Sequence, residues 1–175
     1  MLPFTYDALA QRFATVRPWA KKAVGDATNR CAICMGYTLR LTPSEDDATI
    51  EKLADVASRV NADAGPVGGA RPLSTLSASF FIRAAELEPR VRRVYGEPDV
   101  QGVSKNVWRS VIGKKGVLYL EDCYQTEGDK STSFLFFQRV NGDHWDLFNG
   151  INMVAEEYLL SGNSHEGQLY FWKAR

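Results

Sequence analysis

Asn29-Arg30-Cys31-Ala32-Ile33-Cys34-Met35 reads as the opening of a helix with a cysteine in its first turn. Thr28 or Asn29 supplies the N-cap oxygen, and Pro43 sets the far limit, so the pattern predicts a helix to about Leu41. On such a helix Cys31, Cys34 and Thr38 share one face, while Ile33, Tyr37 and Arg40 lie on another. A thiol is a poor nucleophile until it loses its proton, and the positive end of a helix favours the thiolate. Most unpaired cysteines are nevertheless inert, small apolar residues of a core, so a catalytic reading of Cys31 needs a base elsewhere in the chain.

The chain has two histidines to offer. His165 sits in Ser164-His165-Glu166-Gly167, a polar turn where an exposed imidazole needs no explanation. His144 opens an apolar and polar alternation in Gly142-Asp143-His144-Trp145-Asp146-Leu147-Phe148-Asn149-Gly150, the pattern of a strand closed by a tight turn. In that strand His144 and Asp146 point to one face, with Trp145 and Leu147 opposite. A cysteine early in the chain and a histidine late in it, brought together only by folding, is the logic of papain-like hydrolases.

Working outward, the first half of the chain is helical in pattern. Tyr6, Leu9, Phe13 and Val16 predict an amphipathic helix ending before Pro18. Ile50, Leu53, Ala57 and Val60 predict another, with Asp46, Asp47 and Glu51 near its positive end. A glycine- and proline-rich loop follows over 64–72, and residues 80–94 predict one helix, or two bent at Pro89, stopped by Gly96-Glu97-Pro98. The second half turns to short aromatic and β-branched runs, predicting strands over 117–120, 134–140, 144–148 and 169–172. Helices first and strands second is the order of an α+β domain with an antiparallel sheet. Packing the cysteine helix on that sheet would bring Cys31 beside the strand of His144.

Bulk properties fit one globular domain over residues 1–175, 45% hydrophobic and 24% charged. Lysine plus arginine equals aspartate plus glutamate at 21 each, which leaves no electrostatic footprint for nucleic acid or an anionic membrane; Arg90-Val91-Arg92-Arg93 is read as a solvated helix face. No apolar run approaches the ~20 residues of a membrane span, and Asp7 and Gln11 interrupt the place of a signal-peptide core, so export by that route is not expected. Three cysteines, Cys31, Cys34 and Cys123, are an odd number and argue against a disulfide-stapled scaffold.

Three segments in order, 29–39, Ile112-Gly113-Lys114-Lys115-Gly116 with the apolar strand after it, and 142–150, resemble the motifs of the fourth family of type VI secretion amidase effectors. Weaker likeness runs through Phe80-Phe81-Ile82-Arg83, Tyr95-Gly96-Glu97-Pro98-Asp99 and Leu169-Tyr170-Phe171-Trp172. The resemblance implies a papain-like fold of the NlpC/P60 type, N-terminal helices packed on a C-terminal antiparallel sheet. It implies a cofactor-free cysteine amidase that cuts peptidoglycan stem peptides between D-glutamate and diaminopimelate. It also implies delivery by an injection machine into the periplasm of a target cell, and a cognate immunity protein as partner.

In that reading Cys31 is the nucleophile, its own N–H helps form an oxyanion hole, and His144 is the general base. The family has an aspartate eleven residues after the histidine, where this chain has Ala155. Glu156, one residue on, is the first choice for the group that orients the imidazole, and Asp146 the second; a dyad remains if neither serves. Cys34 stands where the family often has arginine, and the segment between Leu120 and Gly142 is long for the family. Two other classes compete: a structural zinc site of Cys31, Cys34, Cys123 and His144, against which stands the helical run through Ala32-Ile33, and a catalytically silent wall-binding domain on the same fold.

Overall fold

The structure, a computed structural model, describes residues 1–24, 30–41, 80, 81, 83–124, 142–155 and 167–175. The expected helix around Ile50–Val60, the loop over 64–72, the strand over 134–140, the caps Thr28 and Asn29, and His165 and Glu156 lie outside these residues. The chain forms two compact units, Asp7–Arg90, and Met1–Tyr6 with Val91–Arg175.

The first unit is helical. Helix α1 (Tyr6–Val24) buries Leu9, Phe13, Val16 and Ala20, one stripe at three- and four-residue spacing. It does not end before Pro18, as the sequence predicts, but carries Pro18 inside it. A proline removes one intrahelical hydrogen bond and crowds the preceding turn. Here the buried stripe continues past it to Ala20, and that burial holds the last turns in register.

Helix α2 (Arg30–Thr38) is shorter than expected and buried nearly all round, with Ala32, Ile33, Cys34, Met35, Gly36 and Thr38 inside. Both faces read from the sequence are covered, since Ile33 is as buried as Cys34 and Thr38. The helix stops because Arg40 turns left-handed, at φ 58°. Its N–H donates to Tyr37 O at 3.0 Å, and Leu41 N–H reaches back to Gly36 O at 2.8 Å, the paired bonds of a Schellman cap. Glycine usually takes that position; arginine there stores about 1–2 kcal/mol of backbone strain. Beneath the cap Gly36 packs closely, with Leu41 O and the Phe81 ring each 3.4 Å from where a Cβ would stand. Helix α3 (Ala84–Tyr95) begins four residues later than Phe80 and runs unbroken through Pro89, with Leu87 and Val91 buried. It stops where expected, at Gly96, whose φ of 83° suits glycine and whose N–H still bonds Arg92 O.

The second unit is a four-stranded antiparallel sheet in the order β1-β4-β2-β3, made of β1 (Val100–Val103), β2 (Gly116–Tyr124), β3 (Gly142–Phe148) and β4 (Gln168–Lys173). Strand β1 and the helical turns at Ser104–Val107 (α4) and Trp108–Ser110 after it were not legible in the sequence, being too short to show a period. Helices then antiparallel strands make this the α+β class read from the sequence.

Alternation gives the sheet two different faces. Leu118 and Leu120 of β2, Leu169 and Phe171 of β4 and Phe148 of β3 form a hydrophobic core with Val111 and Met153. On the other face Trp145, Tyr119, Tyr170 and Trp172 stack in sequence, with ring centroids 4.7 Å apart for Trp145 and Tyr119 and 5.5 Å for Tyr119 and Tyr170. Gly116 opens β2 with no alternative, because a Cβ there would stand 2.2 Å from Trp172 O.

Candidate active site

Cys31 occupies the first turn of α2, half-buried, with Cys34 one turn on and buried. Neither is in a disulfide. The Arg12 guanidinium ties α1 to the far end of this helix, its Nε donating to Thr38 O at 2.7 Å. A first-turn residue has a main-chain N–H with no intrahelical acceptor, so Cys31 presents a thiol and a donor at the same helix end.

His144 lies on β3 across from Leu120, and Asp146 across from Leu118, so both share one face of the sheet, as the alternation predicts, and it is the face of the Leu118 and Leu120 core. Their side chains meet: His144 Nε2 is 3.7 Å from Asp146 Oδ2, and Asp146 is fully buried. Burying a carboxylate is costly unless main-chain or charged groups satisfy it. Leu147 N–H donates to Asp146 Oδ1 at 2.7 Å, and Ala155 N–H donates to Oδ1 and Oδ2 at 3.0 and 2.9 Å.

The second of those donors arrives by a hairpin. After β3 the chain turns at Asn149–Asn152, where Asn149 N–H bonds Asn152 O and Asn149 Oδ1 accepts from the N–H groups of Ile151 and Asn152. Gly150 takes φ 100° in that turn and accepts a hydrogen bond from Gly113 N–H at 2.8 Å, which joins the two glycine motifs that the sequence showed 37 residues apart in numbering. The chain then returns beside β3: Phe148 bridges Met153, Val154 N–H reaches Leu147 O, and the next N–H, of Ala155, points at Asp146.

At the other end of β3, strand β2 bulges between Leu120 and Tyr124, with Asp122 at φ 53°. Asp143 Oδ1 accepts the N–H of Asp122 at 3.1 Å. Burial pushes the Asp143 carboxyl above the ordinary aspartate value of 3.8, helped by the neighbouring charges of Asp122 and Glu121 and opposed by the hydrogen bonds from Asp122 N–H and Tyr119. This acid is next to His144 in sequence but points away from it along the strand, toward the bulge.

Of the residues singled out by sequence, the structure brings His144 and Asp146 together and puts Cys31 where a first-turn thiol was expected; Glu156 lies outside the described residues. Cys123 falls on β2, its side chain undescribed, and among the described residues no group of three or more His, Cys, Asp and Glu side chains is arranged to hold a metal ion. What sequence reasoning missed is Ala155. Its contribution is a main-chain N–H, which no side-chain pattern encodes.

Residues 27–172 match the family described as type VI secretion system (T6SS), amidase effector protein 4. No curated protein matches in sequence. Among solved structures, the type VI effector Tae4 from Enterobacter cloacae aligns with a TM-score of 0.59 at 16% identity, covering 99% of this chain and 98% of its own. Tae4 from Salmonella typhimurium, solved in complex with the immunity protein Tai4 from Enterobacter cloacae, aligns with a TM-score of 0.56 at 15% identity, covering 98% and 99%. The Tae4–Tai4 complex from Enterobacter cloacae gives 0.56 at 14% identity, covering 99% and 100%. These likenesses establish a shared, papain-like fold over the full length.

Proposed function

We propose a specific chemistry for this chain, which belongs to the fourth family of type VI secretion amidase effectors. Its members are secreted hydrolases directed at peptidoglycan. For this chain the reading is a cysteine peptidase that cleaves stem peptides between D-glutamate and diaminopimelate, with its two units working as one catalytic domain over residues 1–175.

His144 takes the proton of the Cys31 thiol, and the sulfur attacks the carbonyl carbon of the scissile amide. Charge on the carbonyl oxygen is received by the Cys31 N–H at the start of α2. Collapse of the tetrahedral intermediate expels the amine, which His144 protonates, and leaves a thioester on Cys31. Water, deprotonated by His144, then hydrolyses the thioester and releases the new carboxylate. No cofactor enters these steps. The group that orients His144 is, from the sequence, Glu156 or Asp146.

The observation that supports this most is that one family match spans Cys31 and His144 together, with the cysteine in the first turn of α2 and the histidine beside a buried carboxylate. By analogy with the relatives solved with Tai4, a cognate immunity protein protects the producing cell, and the site of action is the target periplasm.

Digestion of purified sacculi tests the reading. Cys31→Ala should abolish release of cleaved stem peptides while leaving circular dichroism and melting unchanged, because a first-turn residue loses little packing with its sulfur. Cys34→Ala should keep most activity, thiol alkylation should remove it, and excess chelator should leave it intact. Cleavage surviving in Cys31→Ala overturns the nucleophile. Stoichiometric zinc whose removal unfolds the protein would favour the structural-metal alternative through Cys31, Cys34, Cys123 and His144.

A further inference from the structure

We propose that Asp146 is the positioning residue for His144, and that the hairpin after β3 exists in this chain to hold it through the N–H of Ala155. The inference rests on the amidase reading and deepens it by choosing between the two acids that the sequence leaves open.

Three observations converge. Asp146 is a fully buried carboxylate, the kind of group a fold keeps only when something demands it. Its Oδ2 faces the Nε2 of His144 at 3.7 Å, on the same face of one strand. That separation is long for a hydrogen bond, but apo catalytic contacts often tighten only when substrate binds. Finally, Asp146 is fixed on its far side by main-chain donors, Leu147 N–H at 2.7 Å and Ala155 N–H at 3.0 and 2.9 Å, so it has little freedom to turn away.

The sequence position where the family has its acid is therefore occupied here by a residue whose N–H, rather than its side chain, serves the site. Ala155 still takes part, one step removed: it grips the carboxylate that faces the imidazole. A carboxylate on Nε2 keeps the neutral ring's proton on Nε2, which makes Nδ1 the nitrogen that accepts from a thiol. Losing the orienting group costs about 10⁴ in serine triads, and less where the nucleophile is a thiol that ionises readily.

The experiment compares Asp146→Asn with Glu156→Gln in sacculus digestion, in the pH dependence of Cys31 alkylation, and in the tautomer of His144 read from ring ¹⁵N shifts; a His165→Gln background leaves one histidine signal. Asp146→Asn keeps the size of the side chain and an oxygen for the Ala155 N–H. The expected result is a fall in kcat of at least about 100-fold with little change in KM, a displaced alkylation profile, and Glu156→Gln within about threefold of the parent on every measure. The parent ring should be the Nε2–H tautomer. A damaging Glu156→Gln beside a harmless Asp146→Asn overturns the proposal, and so does an Nδ1–H tautomer in the parent chain. The ring measurement needs neither substrate nor a folded Asp146 variant, so it separates failure of this assignment from failure of the amidase reading.

Discussion

Helix α2 and strand β3 carry the two groups proposed to do the chemistry, and they hold them by opposite means. α2 is held by its own burial: of nine residues, six are inside, and its end is closed by bonds among residues 36–41. β3 is held by partners far away in the chain. It pairs with β2, whose partners run from Gly116 opposite Phe148 to Tyr124 opposite Gly142, and its buried acid is gripped by an N–H delivered through a hairpin. A thiol and a main-chain donor at a helix end come from one short segment, even though the burial of that helix and the Arg12 bond to Thr38 O come from elsewhere. An oriented imidazole needs several, because a strand leaves both the rotation of the ring and the satisfaction of a buried carboxylate to its neighbours.

The largest effect expected from breaking one side of this contrast is at Ile33. It is fully buried in α2, and Ile33→Ala should cost about 2–5 kcal/mol of stability in a denaturant titration. Cleavage per folded molecule should change little. A loss under about 1 kcal/mol would mean that burial is not what holds the cysteine helix.

On the strand side the effect should divide differently. Gly150→Ala forces φ near 100° on a residue with a Cβ that would stand 3.3 Å from Gly113, which should cost about 1–2 kcal/mol. Because the hairpin carries the Ala155 donor, kcat should fall by more than stability alone accounts for, measured at a temperature where parent and variant are both fully folded. If only stability changes, the hairpin supports the fold and not the imidazole.

The smallest effect is at Asp143, and it sharpens the distinction between the two acids of β3. Its carboxyl is raised in the folded protein, so between the ordinary value of 3.8 and the raised one the native state binds more protons than the unfolded chain. Stability from this group is therefore full at acid pH and falls as pH rises through the raised value. Asp143→Asn should raise Tm slightly at neutral pH and not at pH below 3.8, with activity unchanged. A strong loss of activity would show that the bulge end of β3, and not only Asp146, serves His144.

The sequence was legible where the physics is local. The first-turn cysteine, the alternation that puts His144 and Asp146 on one face, the turn at Asn149-Gly150 and the stop at Gly96 each depend on a few adjacent residues, and each stands in the structure. It misled where a local signal met a tertiary one. Pro18 reads as a terminator, but the buried stripe through Val16 and Ala20 carries α1 past it, and Leu41 reads as helical until Arg40 turns left-handed under the Schellman bonds.

By itself, then, the sequence determined the α+β order of elements and the family, and singled out the thiol and imidazole proposed for the chemistry, because periodicity, caps and side-chain chemistry are written residue by residue. Only the tertiary structure decided that the 113 and 150 glycines meet, that β1 completes the sheet beside β4, and that the acid facing His144 is held by the N–H of an alanine. The reason is that main-chain donors are the same at every position; which carboxylate one of them reaches depends on where the chain returns, and that is set by strand pairing over distance rather than by any residue type.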